Sequence, residues 1–109
     1  MIVFRARDTE RHVGSVLNDL RRLLNFDVLT GSATSPSAEC WYLNGTTDYQ
    51  LTRDTENPAA PGLPVYTLLL VEQDEAYIGA LCVILERRYP YTVLEHSSFA
   101  GVSLASSRL

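Results

Sequence analysis

The sequence predicts an α+β fold in which one strand–helix–strand unit occurs twice. Residues Asp8–Leu29 and Gln73–Leu94 align at a shift of 65 positions, which lays Glu10 on Glu75, Gly14 on Gly79, Leu20 on Leu85, Arg22 on Arg87 and Val28-Leu29 on Val93-Leu94. An apolar run precedes each copy, Ile2-Val3-Phe4 in the first and Thr67–Val71 in the second. Between the copies, Asn44-Gly45 marks a hairpin. Strand, helix and strand, twice over, is the layout of a ferredoxin-like βαββαβ sandwich, here with an extra hairpin after the first helix. A chain of 109 residues supports one hydrophobic core, so residues 1–109 are read as a single ferredoxin-like domain.

Met1–Ala6 reads as the first strand because it is rich in Ile, Val and Phe. Asp8 or Thr9 is the expected N-cap of the first helix, with Glu10 favourable in its first turn. Val13, Val16, Leu17, Leu20, Leu23 and Leu24 then form one apolar stripe of helical period. Arg11, Asn18, Asp19, Arg21 and Arg22 fall on the wet side. Phe26–Leu29 begins a second strand, and the small polar run Thr30–Ser37 predicts a loop. Glu39–Leu43 and Asp48–Thr52 are the arms of the hairpin. Arg53–Pro64 holds three prolines and a glycine, and so reads as a connection.

Val65–Val71 is apolar and β-favouring, as in a central strand covered on at least one face. Asp74 is the expected N-cap of the second helix, whose buried stripe is Tyr77, Ala80, Leu81, Ile84 and Leu85. Tyr89-Pro90 ends it, because proline biases its predecessor to extended geometry. Tyr91–His96 is the last strand of the repeat, Phe99–Leu104 a short edge strand, and Ala105–Leu109 a fraying end. Gly14 and Gly79 share a helical phase. Since a mid-helix glycine costs about 0.5–1 kcal/mol against alanine, the pair predicts close approach of each helix to the sheet or to the other helix.

An apolar fraction of 46% with 20% charged residues places the chain among globular rather than disordered proteins. The net charge of −4 leaves no basic footprint for nucleic acid or anionic lipid. All nine basic residues are arginine, which removes a Schiff-base or P-loop lysine from consideration. Cys40 and Cys82 have neither the number nor the spacing of a disulfide framework. Arg5 and Arg7 follow a short apolar start with no long apolar core of a signal peptide. No apolar stretch is long enough to span a bilayer, so a cytoplasmic, reduced protein is the expectation.

Residues that carry chemistry are few. His12 reads as a surface histidine. His96 closes a strand beside Glu95, and strand neighbours point to opposite faces, so one of the two should face the core or a subunit contact. Cys40, His96 and a carboxylate form a candidate soft metal site, set against ordinary structural roles for each. Glu72, Asp74 and Glu75 cluster at a strand-to-helix junction, where helix capping competes with catalytic use. There is no G-x-S-x-G, G-x-G-x-x-G or Walker loop in the chain. Trp41, Tyr42, Tyr49, Tyr66, Tyr89 and Tyr91 concentrate in the hairpin and near the final strand. Without basic interleaving they point to a contact surface rather than nucleic-acid stacking.

Trp41-Tyr42-Leu43-Asn44-Gly45, the strand Leu68–Val71 and the stretch Tyr89-Pro90-Tyr91-Thr92-Val93-Leu94-Glu95 resemble the CutA family, which is related in fold to PII signalling proteins. Pro90, Tyr91, Val93 and Glu95 match that family in type and spacing. Glu72, Tyr89 and Leu94 stand where it has lysine, histidine and a second proline, and no cysteine occurs near Asn25–Val28. The resemblance implies a trimer whose subunits join sheets edge to edge through the hairpin, with a role in metal tolerance or signalling. The expected function is thus a non-enzymatic, self-associating regulatory or small-ligand- or metal-binding protein. It would be a homo-oligomer, a trimer before a dimer, with a ligand between subunits near Trp41, Tyr42, Tyr49, Tyr89, Tyr91, Glu95 and His96. One alternative is a protein-interaction module, an inhibitor or assembly factor, that presents the Trp41–Tyr49 hairpin to a protein partner. The other is a small enzyme of the dimeric α+β barrel type, which needs Glu95 or His96 inside a pocket.

Overall fold

Both helices pack on the same face of a six-stranded antiparallel sheet. The computed structural model describes residues 1–8, 11–35, 38–45, 49–55, 63–70 and 74–97. In chain order the elements are β1 (Ile2–Ala6), α1 (Val13–Leu24), β2 (Phe26–Ser35), β3 (Ala38–Gly45), β4 (Tyr49–Asp54), β5 (Val65–Leu70), α2 (Glu75–Arg87) and β6 (Tyr91–His96). The strand order is β2-β3-β4-β5-β1-β6. Since every pairing is antiparallel, β2 runs parallel to β1 with β3, β4 and β5 between them, and β6 runs parallel to β5 with β1 between them. Each helix therefore spans a crossover, which is how both come to lie over the sheet. No helix of the described residues is long and apolar enough to cross a membrane.

Strand alternation decides what enters the core. Ile2 and Phe4 of β1, Tyr66, Leu68 and Leu70 of β5, and Tyr49 and Leu51 of β4 share the helix-covered face. Val16, Leu20 and Leu24 of α1 and Ile78, Leu81 and Leu85 of α2 close over them. On the opposite face Val3 and Val65 form a small second cluster with Met1 and Leu63 at its margin.

Arg7 locks the two repeat units together at one end. Its guanidinium donates to the carbonyls of Glu86, Tyr89 and Tyr91, and its backbone N–H donates to Pro90. At the other end Met1 and Ser97 exchange backbone hydrogen bonds of 2.7 and 2.8 Å.

Several expectations are corrected. Thr30–Ser35 is not loop but the continuation of β2, whose ladder to β3 runs from Phe26↔Gly45 to Ser35↔Ala38 with irregularities near each end. The ladder supplies partners for backbone groups, and that outweighs the poor strand propensity of small residues. Asn44 and Gly45 belong to β3, and Arg53 and Asp54 to β4. Because β3 and β4 are each paired on both sides, the hairpin offers no free edge for sheet joining; the sheet ends at β2 and β6.

Helix α1 starts at Val13 with His12 as its N-cap, not Asp8 or Thr9. The N–H of Arg11 is spent on a turn with the Asp8 carbonyl, so the helix opens one turn later. Asn25, in the left-handed region at φ 56°, closes that helix. Helix α2 starts at Glu75 with the expected Asp74 as its cap, which accepts from the N–H of Ala76 at 2.9 Å. A Cβ added at Gly14 or Gly79 would meet nothing within 4 Å, so neither glycine marks a close approach inside the chain. Phe99–Leu104, Ala105–Leu109 and Glu72 lie outside the described residues.

Candidate functional site

A line of polar and aromatic side chains crosses the helix-covered face. The hairpin register sets Glu39 opposite Arg53, Arg53 opposite Tyr66, and Tyr66 opposite Phe4. Glu39 and Arg53 form an ion pair. Tyr66 stacks on Phe4 with ring centroids 5.5 Å apart, and Tyr91 meets the same ring edge-on at 5.2 Å. Beyond Tyr91 lies a second charged group. The Tyr91 hydroxyl donates to Asp19 Oδ2 at 2.5 Å, and Arg11 donates to the same oxygen at 2.5 and 3.2 Å while its guanidinium stands 5.9 Å from the Tyr91 ring.

Asp19 is 7% exposed, although the helical period assigns it to the wet side. Its burial is tolerable because both of its donors are present, one of them charged. Burial first, and then the bond to Asp19, push the Tyr91 hydroxyl above its ordinary range, so it stays protonated and donating. Arg11 is raised in turn, chiefly by its bond to Tyr91.

The two tyrosines beside Phe4 differ in one respect. Tyr66 is 2% exposed, and neither its hydroxyl nor the Nε of Arg53 has a hydrogen-bond partner among the described residues. Burial raises the Tyr66 hydroxyl. The Arg53 guanidinium is close enough to hold it back in part, yet the pair falls short of hydrogen-bond geometry. Tyr66 lines a cleft with Ala6, Asp8, Arg11, Leu63 and Pro64, where β1 ends and β5 begins. The cleft is shallow, with room for about one water.

The residues singled out in the sequence are not gathered at one place. Trp41 is half-buried on the core, Tyr42 is 47% exposed on the helix-free face, and the Tyr49 hydroxyl sits 3.0 Å from that of Tyr77. Tyr89 is half-buried and Tyr91 wholly buried, while Glu95 and His96 are both exposed. Glu95 pairs with Val3 and His96 with Ile2, and neither lines the cleft. Cys40 is buried on β3, and β4, β5 and β1 lie between it and β6, a span of roughly 19 Å at ordinary strand spacing. Cys40 and His96 therefore cannot share a metal ion, and no group of three or more metal-ligating side chains exists among the described residues. No family model, curated protein or solved structure matches the chain.

Arg11, Asp19, Glu39 and Arg53 went unselected by sequence reasoning. Asp19 carried a signal: it lies three residues after Val16 and four before Leu23, at the edge of the apolar stripe. The Glu39–Arg53 pair needed the hairpin register, which the turn sequence alone does not fix.

A second feature is the outward face of α2. Ile78, Leu81, Cys82 and Leu85 point inward, as the core requires. Ala76, Ala80 and Val83 point to solvent on the opposite side, with Val83 51% exposed and Gly79 and Ile84 at the flanks. Asp74 and Glu75 are exposed at one end of this strip, and Arg87 and Arg88 at the other. By contrast α1 presents Asn18, Arg21 and Arg22 outward, as an ordinary surface helix does.

Proposed function

We propose that the protein is a self-associating, non-enzymatic regulatory domain, similar in kind to CutA and PII-like proteins, whose copies pair through α2. The observation that carries this reading is the outward face of that helix. A helix apolar on both sides is characteristically covered on both sides. A two-fold axis near the middle of α2 would set two copies antiparallel, with Ala80 against Val83 and Gly79 beside the contact. Arg87, in phase with the strip, would then lie by Glu75 of the other copy. Such a contact is self-complementary, which an isologous interface requires. It also gives Gly79 a reason that the chain by itself does not: close approach of a second helix backbone.

The two strand–helix–strand units, with β3 and β4 added between them, support the ferredoxin-like reading. The free thiols of Cys40 and Cys82 fit a reduced, cytoplasmic setting. The barrel-type enzyme needs Glu95 or His96 inside a pocket, and the exposure of both speaks against it.

Light scattering tests the proposal. The wild type should weigh twice its 12.2 kDa chain mass at tens of micromolar, and Val83→Arg, a change at an exposed site, should weigh that mass once with an unchanged circular dichroism spectrum. A wild type that stays monomeric would refute self-association. An oligomer indifferent to Val83→Arg would refute α2 as its interface.

A further inference from the structure

We infer that the outer edge of β2 receives an extended strand of another protein, one rich in β-branched side chains, as an additional strand of the sheet. The inference goes beyond self-association through α2, which packs beside β6 at the opposite end of the sheet. It starts from a difference between the two sheet edges. A strand at an edge presents a row of unpaired N–H and C=O groups, a template that an incoming strand fits in register. On β6 that row is short and already guarded: the N–H of Val93 donates to Glu86 at 3.0 Å, and the carbonyl of Tyr91 accepts from Arg7. Strand β2 runs for ten residues, Phe26–Ser35, and among the described residues it is paired on one side only, to β3. The run contains no proline, lysine or arginine, the residues that commonly blunt an edge, and Asp27 is its one charge.

The neighbours of β2 select the occupant. Trp41 and Tyr42 of β3 stand across from Gly31 and Thr30 on opposite faces of the sheet, Trp41 half-buried and Tyr42 exposed. Gly31 has no side chain to stand between Trp41 and a backbone added beyond it. The added strand would lie roughly 10 Å from β3, two strand spacings, a gap that a large aromatic ring and a branched side chain span together. A second copy of β2 is a poor occupant. Its run Thr30–Ser35 consists of glycine, alanine, serine and threonine, whose small side chains supply little cross-strand contact. Valine or isoleucine on alternate residues of a different chain supplies that contact, and a basic residue complements Asp27. The contact surface that Trp41 and Tyr42 suggest in the sequence is thereby used through the strand beside them, since β3 itself is paired on both sides.

The peptide acetyl-Arg-Val-Thr-Val-Thr-Val-Arg-amide, titrated into the full-length protein, tests this inference. Trp41 is the only tryptophan, so its fluorescence reports binding, and amide chemical shifts report the place. Saturable changes in both are expected, with the shifts centred on Leu29–Ala33. The same peptide N-methylated at every residue has no backbone donors and should bind at least tenfold more weakly. The counterpart with serine for valine should lose as much. An absence of saturable change, or shifts on Thr92–His96 instead, would overturn the site. Equal binding of the N-methylated peptide would overturn strand addition, and equal binding of the serine peptide would overturn the requirement for branched side chains. Without peptide, β2 amides whose protection from exchange rises with protein concentration would mean that a second copy fills the edge, which would overturn the assignment to another protein. These readouts lie on β2 and not on α2, so failure here and failure of self-association through α2 remain distinguishable.

Discussion

Tyr66 and Tyr91 flank one phenylalanine, and their hydroxyls meet opposite fates, so removing each should act in opposite directions. Tyr91→Phe deletes a bond to a buried carboxylate and should lower the unfolding free energy by about 1.5–3 kcal/mol. Tyr66→Phe deletes a group that costs about 1–3 kcal/mol when buried alone, and it should leave stability unchanged or raise it. Urea denaturation of the two variants beside the wild type reads both effects. The same residues set the alkaline limb. Both hydroxyls are raised by burial, so the native state keeps protons that the unfolded state releases near pH ~10. Their stabilising contribution is therefore complete below about pH 10 and is lost as pH rises toward the native values. Urea midpoints measured from pH 8 to 11.5 should decline above that point, and less steeply in Tyr91→Phe. At this scale the sequence was a partial guide: it singled out Tyr91 and Tyr66 as aromatics, but assigned Asp19 and Arg11 to solvent. Helical phase places a residue within one step of the boundary, and Asp19 sits on the boundary. Its burial depends on Tyr91 being there to meet it, a contact between residues 72 positions apart.

Among the elements, helix ends and local runs were the legible part. The Asp74 cap, the strands at Ile2–Ala6, Val65–Leu70 and Tyr91–His96, and the stripe of α1 follow from short-range rules, whereas the stripe expected on α2 is corrected: Ile78 and Cys82 are buried with Leu81 and Leu85, and Ala80 is exposed. Asp74→Ala should cost about 1 kcal/mol, measurable by thermal or urea unfolding, since the N–H of Ala76 would lose its acceptor. Where the rules misled, a non-local partner had won. The run Thr30–Ser35 has loop composition, yet β3 lies alongside and satisfies its backbone. The start of α1 moved for a local reason instead, one backbone hydrogen bond from Arg11 to Asp8 that composition does not reveal. The repeat predicted the order of elements correctly, while the start expected for α1 lay one turn too early. Its ancestry-like spacing says nothing of which capping residue each copy carries.

For the whole molecule, the strand order was the least legible property, because it depends on pairings between residues far apart in the chain. Placing β3 and β4 inside the sheet removes the hairpin as a joining edge and turns attention to α2, the one described helix with an apolar strip on its solvent side. Its small residues and its acidic-to-basic polarity are what a two-fold contact with a second copy would use. Charge complements the helix dipole as well, but the dipole gives no reason for Val83 to be exposed. A contact closed by a two-fold axis makes a dimer, in place of the trimer that the CutA resemblance implies.

The most direct test of this pairing is a charge-exchange cycle read as dimer dissociation constants by analytical ultracentrifugation. Glu75→Arg and Arg87→Glu should each weaken the dimer by about tenfold, through two symmetric contacts of roughly 0.7 kcal/mol apiece. The double variant should return to near the wild-type constant, because the exchanged charges again face each other across the axis. A double variant as weak as the two single losses combined would mean that these residues do not meet, and the antiparallel pairing of α2 would be wrong.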